Sequence, residues 1–171
     1  MINMKTMKHV LSFAVAVLCI CSSGYAQRKN AAAFYNYEVE CLGTGMDGTQ
    51  LLKVWGYGKN KTEAVEQAKK DAVHAVIFKG VPTGKPGCMQ RPLATKAGAE
   101  QQHNDYFQTF FKKNGPYLKF VTISNDGSID PADRLKAGKK YKIGVTVSVA
   151  HSALRKELEA AGVIEKLDSG F

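Results

Sequence analysis

From Tyr141 to Val149 the chain alternates without a break: Tyr141, Ile143, Val145, Val147 and Val149 are apolar, and Lys142, Gly144, Thr146 and Ser148 lie between them. Side chains leave a strand on alternate faces, so a period of two predicts a strand with one buried and one open face. Such a strand is not stable alone and needs partner strands and an apolar layer over its buried side. The rest of the sequence must supply both.

Partners are legible upstream. Between Phe34 and Leu42, Tyr35, Tyr37, Val39 and Cys41 alternate with Asn36, Glu38 and Glu40, which predicts a strand with Cys41 on its inner face. Leu51 to Gly58 reads as a second strand, joined to the first through Met46-Asp47-Gly48 as a β-hairpin. Leu118 to Ser124 reads as a third, followed by a turn-rich link through Pro131 and Gly138.

Helical spacing supplies the covering layer. Asn60 with Glu63 resembles a capping box and opens a helix from about Lys61 to Lys79, with Ala64, Val65, Ala68, Ala72, Ala75 and Val76 on one stripe. Glu63, Glu66, Gln67, Lys70, Asp71 and His74 form the opposite, polar stripe. Gly80 stops this helix, and Val81 to Gly98 is expected to be a long irregular connection. A second helix is expected over Ala99 to Lys113, with His103, Tyr106, Phe107, Phe110 and Phe111 on one face, and a third over Ser152 to Ala161. The expected fold class is α+β: one domain in the order β-β-α-α-β-β-α, an antiparallel or mixed sheet with helices mainly on one face.

The N-terminus predicts export. Lys5 and Lys8 precede a dozen mostly apolar residues from Val10 to Cys21, the length of a signal h-region and too short to span a bilayer. Gly24-Tyr25-Ala26 suits cleavage before Gln27, so residues 1–26 read as a signal peptide, 27–33 as a flexible lead and 34–171 as the domain. Leu18 before Cys19 and Ile20 before Cys21 disfavour lipid attachment. The expected location is periplasmic or secreted, with outer-membrane association as one form of it, and no transmembrane segment after cleavage.

Of 24 basic residues two leave with the signal, so 22 face 15 acids, a formal charge of +7. The excess favours anionic partners. The lysines are spread along the chain with no run of five like charges, which reads mainly as a solvated surface, and no nucleic-acid partner is expected. Cys41 and Cys88 are the two cysteines left after cleavage, and in an oxidising compartment they are a disulfide candidate.

Other motifs weaken on inspection. Gly43-Thr44-Gly45-Met46-Asp47-Gly48 matches G-x-G-x-x-G, but a strand follows it where nucleotide binding needs a helix N-terminus. His74 on the polar stripe reads as solvated, His103 as a core-edge residue and His151 as a capping or loop residue, so no catalytic residue is assigned. No cofactor is implied. Asn125, Asp126, Ser128, Asp130 and Asp133 make an oxygen-rich loop without the spacing of a calcium loop, and no metal ligand is assigned. Tyr35, Tyr37, Trp55 and Tyr57 could form a ligand surface for a sugar or peptide, or could be cross-strand packing.

Gly56-Tyr57-Gly58, Glu63-Ala64 through Ala68, Asp71-Ala72 and Ala75-Val76-Ile77 resemble the signature of a bacterial envelope family. That family includes small lipoproteins of about twenty kilodaltons and the N-terminal domain of the flagellar assembly protein FlgT. Lys140 to Val147, followed by Leu154, resembles its closing strand and helix. The resemblance implies the fold and an accessory or assembly role without catalytic residues. The function expected first is therefore a non-catalytic envelope accessory or interaction protein, partnered by another envelope protein or an anionic envelope polymer. A binding module for anionic glycan or lipid is the alternative, and an enzyme of unknown activity the third.

Overall fold

The computed structural model of the protein describes residues 38–45, 47–88, 90–124 and 127–166, all within the compact unit Asn36–Phe171. The predicted signal, the lead and Tyr35 and Tyr37 lie outside the described residues.

The fold is α+β. Its elements are β1 (Val39–Thr44), β2 (Thr49–Gly58), α1 (Lys61–His74) with a π-helical extension at Ala75–Lys79, and the short helices α2 (Ala99–Gln102) and α3 (Asn104–Phe110). β3 (Val121–Ile123), β4 (Arg134–Ala137), β5 (Lys140–Ala150) and α4 (His151–Ala160) complete it. The alternating strand predicted at Tyr141–Val149 is β5, and it is the hub of the sheet: β2 runs along one side, and β3 and β4 share the other. Every ladder is antiparallel, with β1 on the far side of β2.

The buried face is continuous across the central strands. Leu52 and Val54 of β2 and Ile143, Val145, Val147 and Val149 of β5 are at most 1% exposed, and Ala64, Ala68, Ala72 and Val73 of α1 are fully buried above them. Asn60 caps α1 by accepting from Glu63 N at 2.8 Å, and Glu63 Oε2 accepts from Lys59 N at 2.8 Å, one residue before the cap. The helix reaches the sheet so closely because Gly56 and Gly58 lie beneath it. A Cβ on Gly56 would fall 2.5 Å from Ala68 N, and one on Gly58 2.7 Å from the Glu63 carbonyl carbon.

Downstream, α1 widens into its π turn, where Gly80 N bonds Ala75 O at 2.8 Å. The Val76 and Ile77 carbonyls then accept from Leu93 N at 3.0 Å and Ala94 N at 2.8 Å. The long connection is thus pinned to the helix that precedes it. It is also pinned to the sheet: Cys41 N donates to Thr83 O at 2.9 Å and Lys85 N to Cys41 O at 3.0 Å. Cys41 and Cys88 form a disulfide there, with Cα atoms 5.9 Å apart, and both residues are buried.

Four sequence expectations are corrected. The helix expected over 99–113 is broken at His103, whose φ of −110° and ψ of 33° leave the helical region; Asn104 and Asp105 follow, and their short side chains compete with helical backbone bonds. The strand expected from Leu118 is a 3-10 turn over Pro116–Phe120, with only Val121–Ile123 extended. There Tyr117 and Phe120 are buried at a spacing of three, which a period of two does not capture. Arg134–Ala137 is an additional strand, unseen because four residues are too short for a period and because Arg134, Leu135 and Lys136 are all exposed. Finally His74, read as solvated, is 3% exposed, because the aromatic residues of the α2–α3 region cover the polar stripe of α1.

Two consequences are measurable by chemical denaturation. Gly56→Ala is expected to destabilise the protein by about 1–3 kcal/mol through overpacking against α1. The disulfide closes 47 residues, and Cys41→Ser with Cys88→Ser is expected to cost about 4 kcal/mol in the chain-entropy account.

Candidate functional site

The helices cover one face of the sheet and leave a group of large side chains on the other. On the open face Trp55 of β2 stands opposite Gly144 of β5, and Tyr57 opposite Lys142. Lys142 Nζ is 4.9 Å from the Trp55 ring centre and 5.7 Å from that of Tyr57, while Lys53 Nζ is 5.4 Å from Trp55. The indole is therefore bracketed by two ammonium groups, each attracted to its negative face. Each cation also holds a carboxylate: Lys142 pairs with Glu38 at 3.0 Å and Lys53 with Asp133 at 2.7 Å. The Glu38 hydrogen bond raises the pKa of Lys142 and keeps it charged.

Gly144 is what admits Asp133 to this surface. Without a side chain it leaves room for Asp133, whose Cβ would lie 3.1 Å from a Cβ added to Gly144. Beyond Trp55, a shallow hollow of about 260 Å³ is walled by Glu38, Glu40, Lys53, Thr83 and Gly84. The disulfide-tied loop thus forms one wall. Over this area carboxylates (Glu38, Glu40, Asp133) outnumber ammonium groups (Lys53, Lys142), so the chain's positive excess is located elsewhere.

A second cluster is buried along α1. Gln67 Nε2 donates to Asp71 Oδ1 at 2.7 Å, and His74 Nε2 meets Glu100 Oε1 at 3.3 Å. Asp71 is 2% exposed, and burial pushes its carboxyl up to about 7 against the pull of Gln67, Lys70 and Lys79. Burial also lowers His74, opposed by its bond to Glu100. The His74 ring packs 4.7 Å from Phe78 and 5.7 Å from Phe111. This row resembles half of an acid–base apparatus, but the aromatic side chains close over it and the hydrogen bonds join its members to each other. Shifted carboxyl and imidazole groups of this kind belong to packing as often as to catalysis.

The remaining sequence candidates fall apart in space. Gly43–Gly48 spans the end of β1 and the turn into β2, with Gly45 N bonded to Thr49 O at 2.8 Å, and the next helix starts only at Lys61. In the acidic loop Asp130 accepts from Ala132 N at 2.8 Å and Asp133 turns to Lys53; Asn125 and Asp126 lie outside the described residues. No group of three potential metal ligands occurs among the described residues. His151 is the first residue of α4, its pKa lowered by burial, and His103 sits at the break before α3. Cys41 and Cys88, being bonded, present no thiolate to any histidine. Trp55 and Tyr57 share the open face of β2, while Lys53 and Lys142, which shape their surroundings, carry no motif. Strand register brings in the two lysines, and the turn before β4 brings in Asp133 from the acidic loop.

No family model, no curated protein and no solved structure matches this chain.

The Asp71 carboxyl sets a pH test. Unfolded, it titrates near 3.8; folded, near 7. Between those values the folded chain holds a proton that the unfolded chain releases, so its stabilisation is complete below pH 3.8 and is lost as pH rises through about 7. His74, lowered on folding, acts in the opposite sense and costs stability as pH falls. Asp71→Asn cannot ionise, and is expected to exceed the wild type in stability at pH 8 by up to roughly 4 kcal/mol, at 1.36 kcal/mol per unit. Thermal unfolding of both proteins from pH 5 to 8 should show the gap widening with pH.

Proposed function

We propose that this chain is a non-catalytic accessory or interaction protein of the bacterial cell envelope, and that it meets its partner on the uncovered sheet face around Trp55. The observation that carries this reading is the bracketed indole. A tryptophan on an open face, held by Lys53 and Lys142 and bordered by the Glu38–Glu40 hollow, has the composition of an interface centre. Hydrogen-bonding groups of both signs surround an apolar ring, which suits a protein or polymer surface better than a small charged metabolite. The disulfide supports a periplasmic or secreted location, because such bonds persist where the surroundings are oxidising. The buried Asp71–His74 row supports a structural role for the titratable groups of α1.

Trp55 is the sole tryptophan, so its emission reports directly on this face. Titration with separated envelope protein and polysaccharide fractions is expected to shift that emission with one of them. Trp55→Ala is expected to weaken capture of the same component at least about thirtyfold, the usual cost of truncating a central aromatic side chain. Emission unchanged by every fraction, together with turnover of a substrate by the folded protein, overturns the proposal.

A further inference from the structure

The chain carries a large positive excess, yet the Trp55 face is not where it resides. The excess gathers at the β4–β5 hairpin. Arg134, Lys136, Lys139 and Lys140 lie within seven residues that contain no acid. Ala137 pairs with Lys140, Lys136 with Tyr141 and Leu135 with Lys142 across a two-residue turn at Gly138 and Lys139, so Leu135 and Lys140 lie on the open face with Lys142 and Tyr57, while Arg134 and Lys136 lie on the face of Ile143. Lys136, Lys139 and Lys140 are exposed, and none of the three is in an ion pair among the described residues. The Arg134 guanidinium donates to the Ile129 carbonyl, which leaves its charge uncompensated.

Apolar side chains accompany the charge. Leu135 and Tyr57, 46% and 38% exposed, are the two large hydrophobic residues exposed among those described. Register places both opposite Lys142, so Leu135, Lys142 and Tyr57 form one row across the sheet. Leu135 lies three positions before Gly138, roughly 10 Å along a strand, and interfacial apolar groups enter a bilayer to about 5–10 Å.

We propose that the open face of the β4–β5 hairpin docks on an anionic phospholipid bilayer surface, with Lys139 and Lys140 among the headgroups and Leu135 and Tyr57 at the acyl boundary. Charge alone would fit any polyanion. The Leu135–Tyr57 row selects a lipid surface, because a soluble polyanion offers nothing apolar to cover it, whereas a bilayer interface accepts an aliphatic side chain and the amphipathic tyrosine ring together. The proposal is independent of the partner assigned to Trp55, which lies one row further along the face.

Vesicle flotation tests it, with phosphatidylcholine alone and with phosphatidylcholine containing about 30% phosphatidylglycerol, an anionic surface of the kind that attracts basic segments. Wild-type protein is expected to bind the anionic vesicles, to ignore the neutral ones, and to be released at about 0.5 M salt as screening takes effect. Replacing Lys139 and Lys140 by Gln is expected to weaken binding on the order of 25-fold, roughly fivefold per lysine. Leu135→Ser is expected to lower binding about tenfold while leaving its salt dependence in place. Trp55→Ala is expected to leave vesicle binding unchanged and so separates this surface from the Trp55 site. Should the double variant fail to fold by circular dichroism, Lys139→Gln in the turn gives the same reading at about fivefold. Equal binding to neutral vesicles, wild-type affinity in the lysine variants, or tight binding to heparin or duplex DNA with none to vesicles overturns the proposal.

Discussion

The approach of α1 to the sheet at Gly56 and Gly58 is the contact on which the rest of the molecule depends. Side chains at these positions would hold the helix off the strand; their absence lets Ala64 and Ala68 sit against the β2 backbone. At that separation small residues suffice to fill the interface, and the larger ones, Leu52, Val54, Val73 and Ile77, close the core around it. The glycines alternate with Trp55 and Tyr57, so the residues that admit the helix on one face force the aromatic pair onto the other. A single strand thus builds the core and displays the candidate site.

The connection after α1 gains order from a local irregularity. An uninterrupted α-helix would use the Val76 carbonyl internally; the π turn frees it, and the loop takes it and the Ile77 carbonyl. From that anchor the chain runs to Cys41, where two backbone hydrogen bonds and the disulfide fix it beside β1. Gly84 makes the fit possible, since its φ of 127° and bare Cα lie directly against the Cys41 backbone.

What the sequence disclosed followed the strength of its periods. β5 and the helix running from Lys61 to Lys79 were legible because buried and open positions alternate cleanly there. The cysteine pairing was legible only as a candidate, since nothing in the letters says how near the loop passes to β1. β4 was invisible because hydrogen bonding to β5, with no apolar side chain to bury, makes it a strand. The burial of His74 and Asp71 was misread for a related reason: a polar stripe predicts solvent only when no other element packs on it, and Phe111 packs on His74 and Lys70. The candidate site divides in the same way. Trp55 and Tyr57 stand out as letters, whereas Lys142 and Asp133, about eighty residues further along, join them through the β2–β5 register and through the turn before β4.

The loop laid along Cys41 has a consequence for how this protein can associate. An outermost strand with vacant amides and carbonyls invites a further strand from another chain, and many recognition events and most fibrils begin there. At Cys41 both backbone groups are already taken by Thr83 and Lys85. On the opposite margin, β3 and β4 are short segments of three and four residues placed end to end along β5, and basic side chains flank the second. Among the described residues neither margin offers a long, straight template for sheet extension. Any chain that met these margins would have to recognise side chains presented by a finished surface, with specificity written in residue identity and little scope for the sequence-blind pairing of one backbone with another.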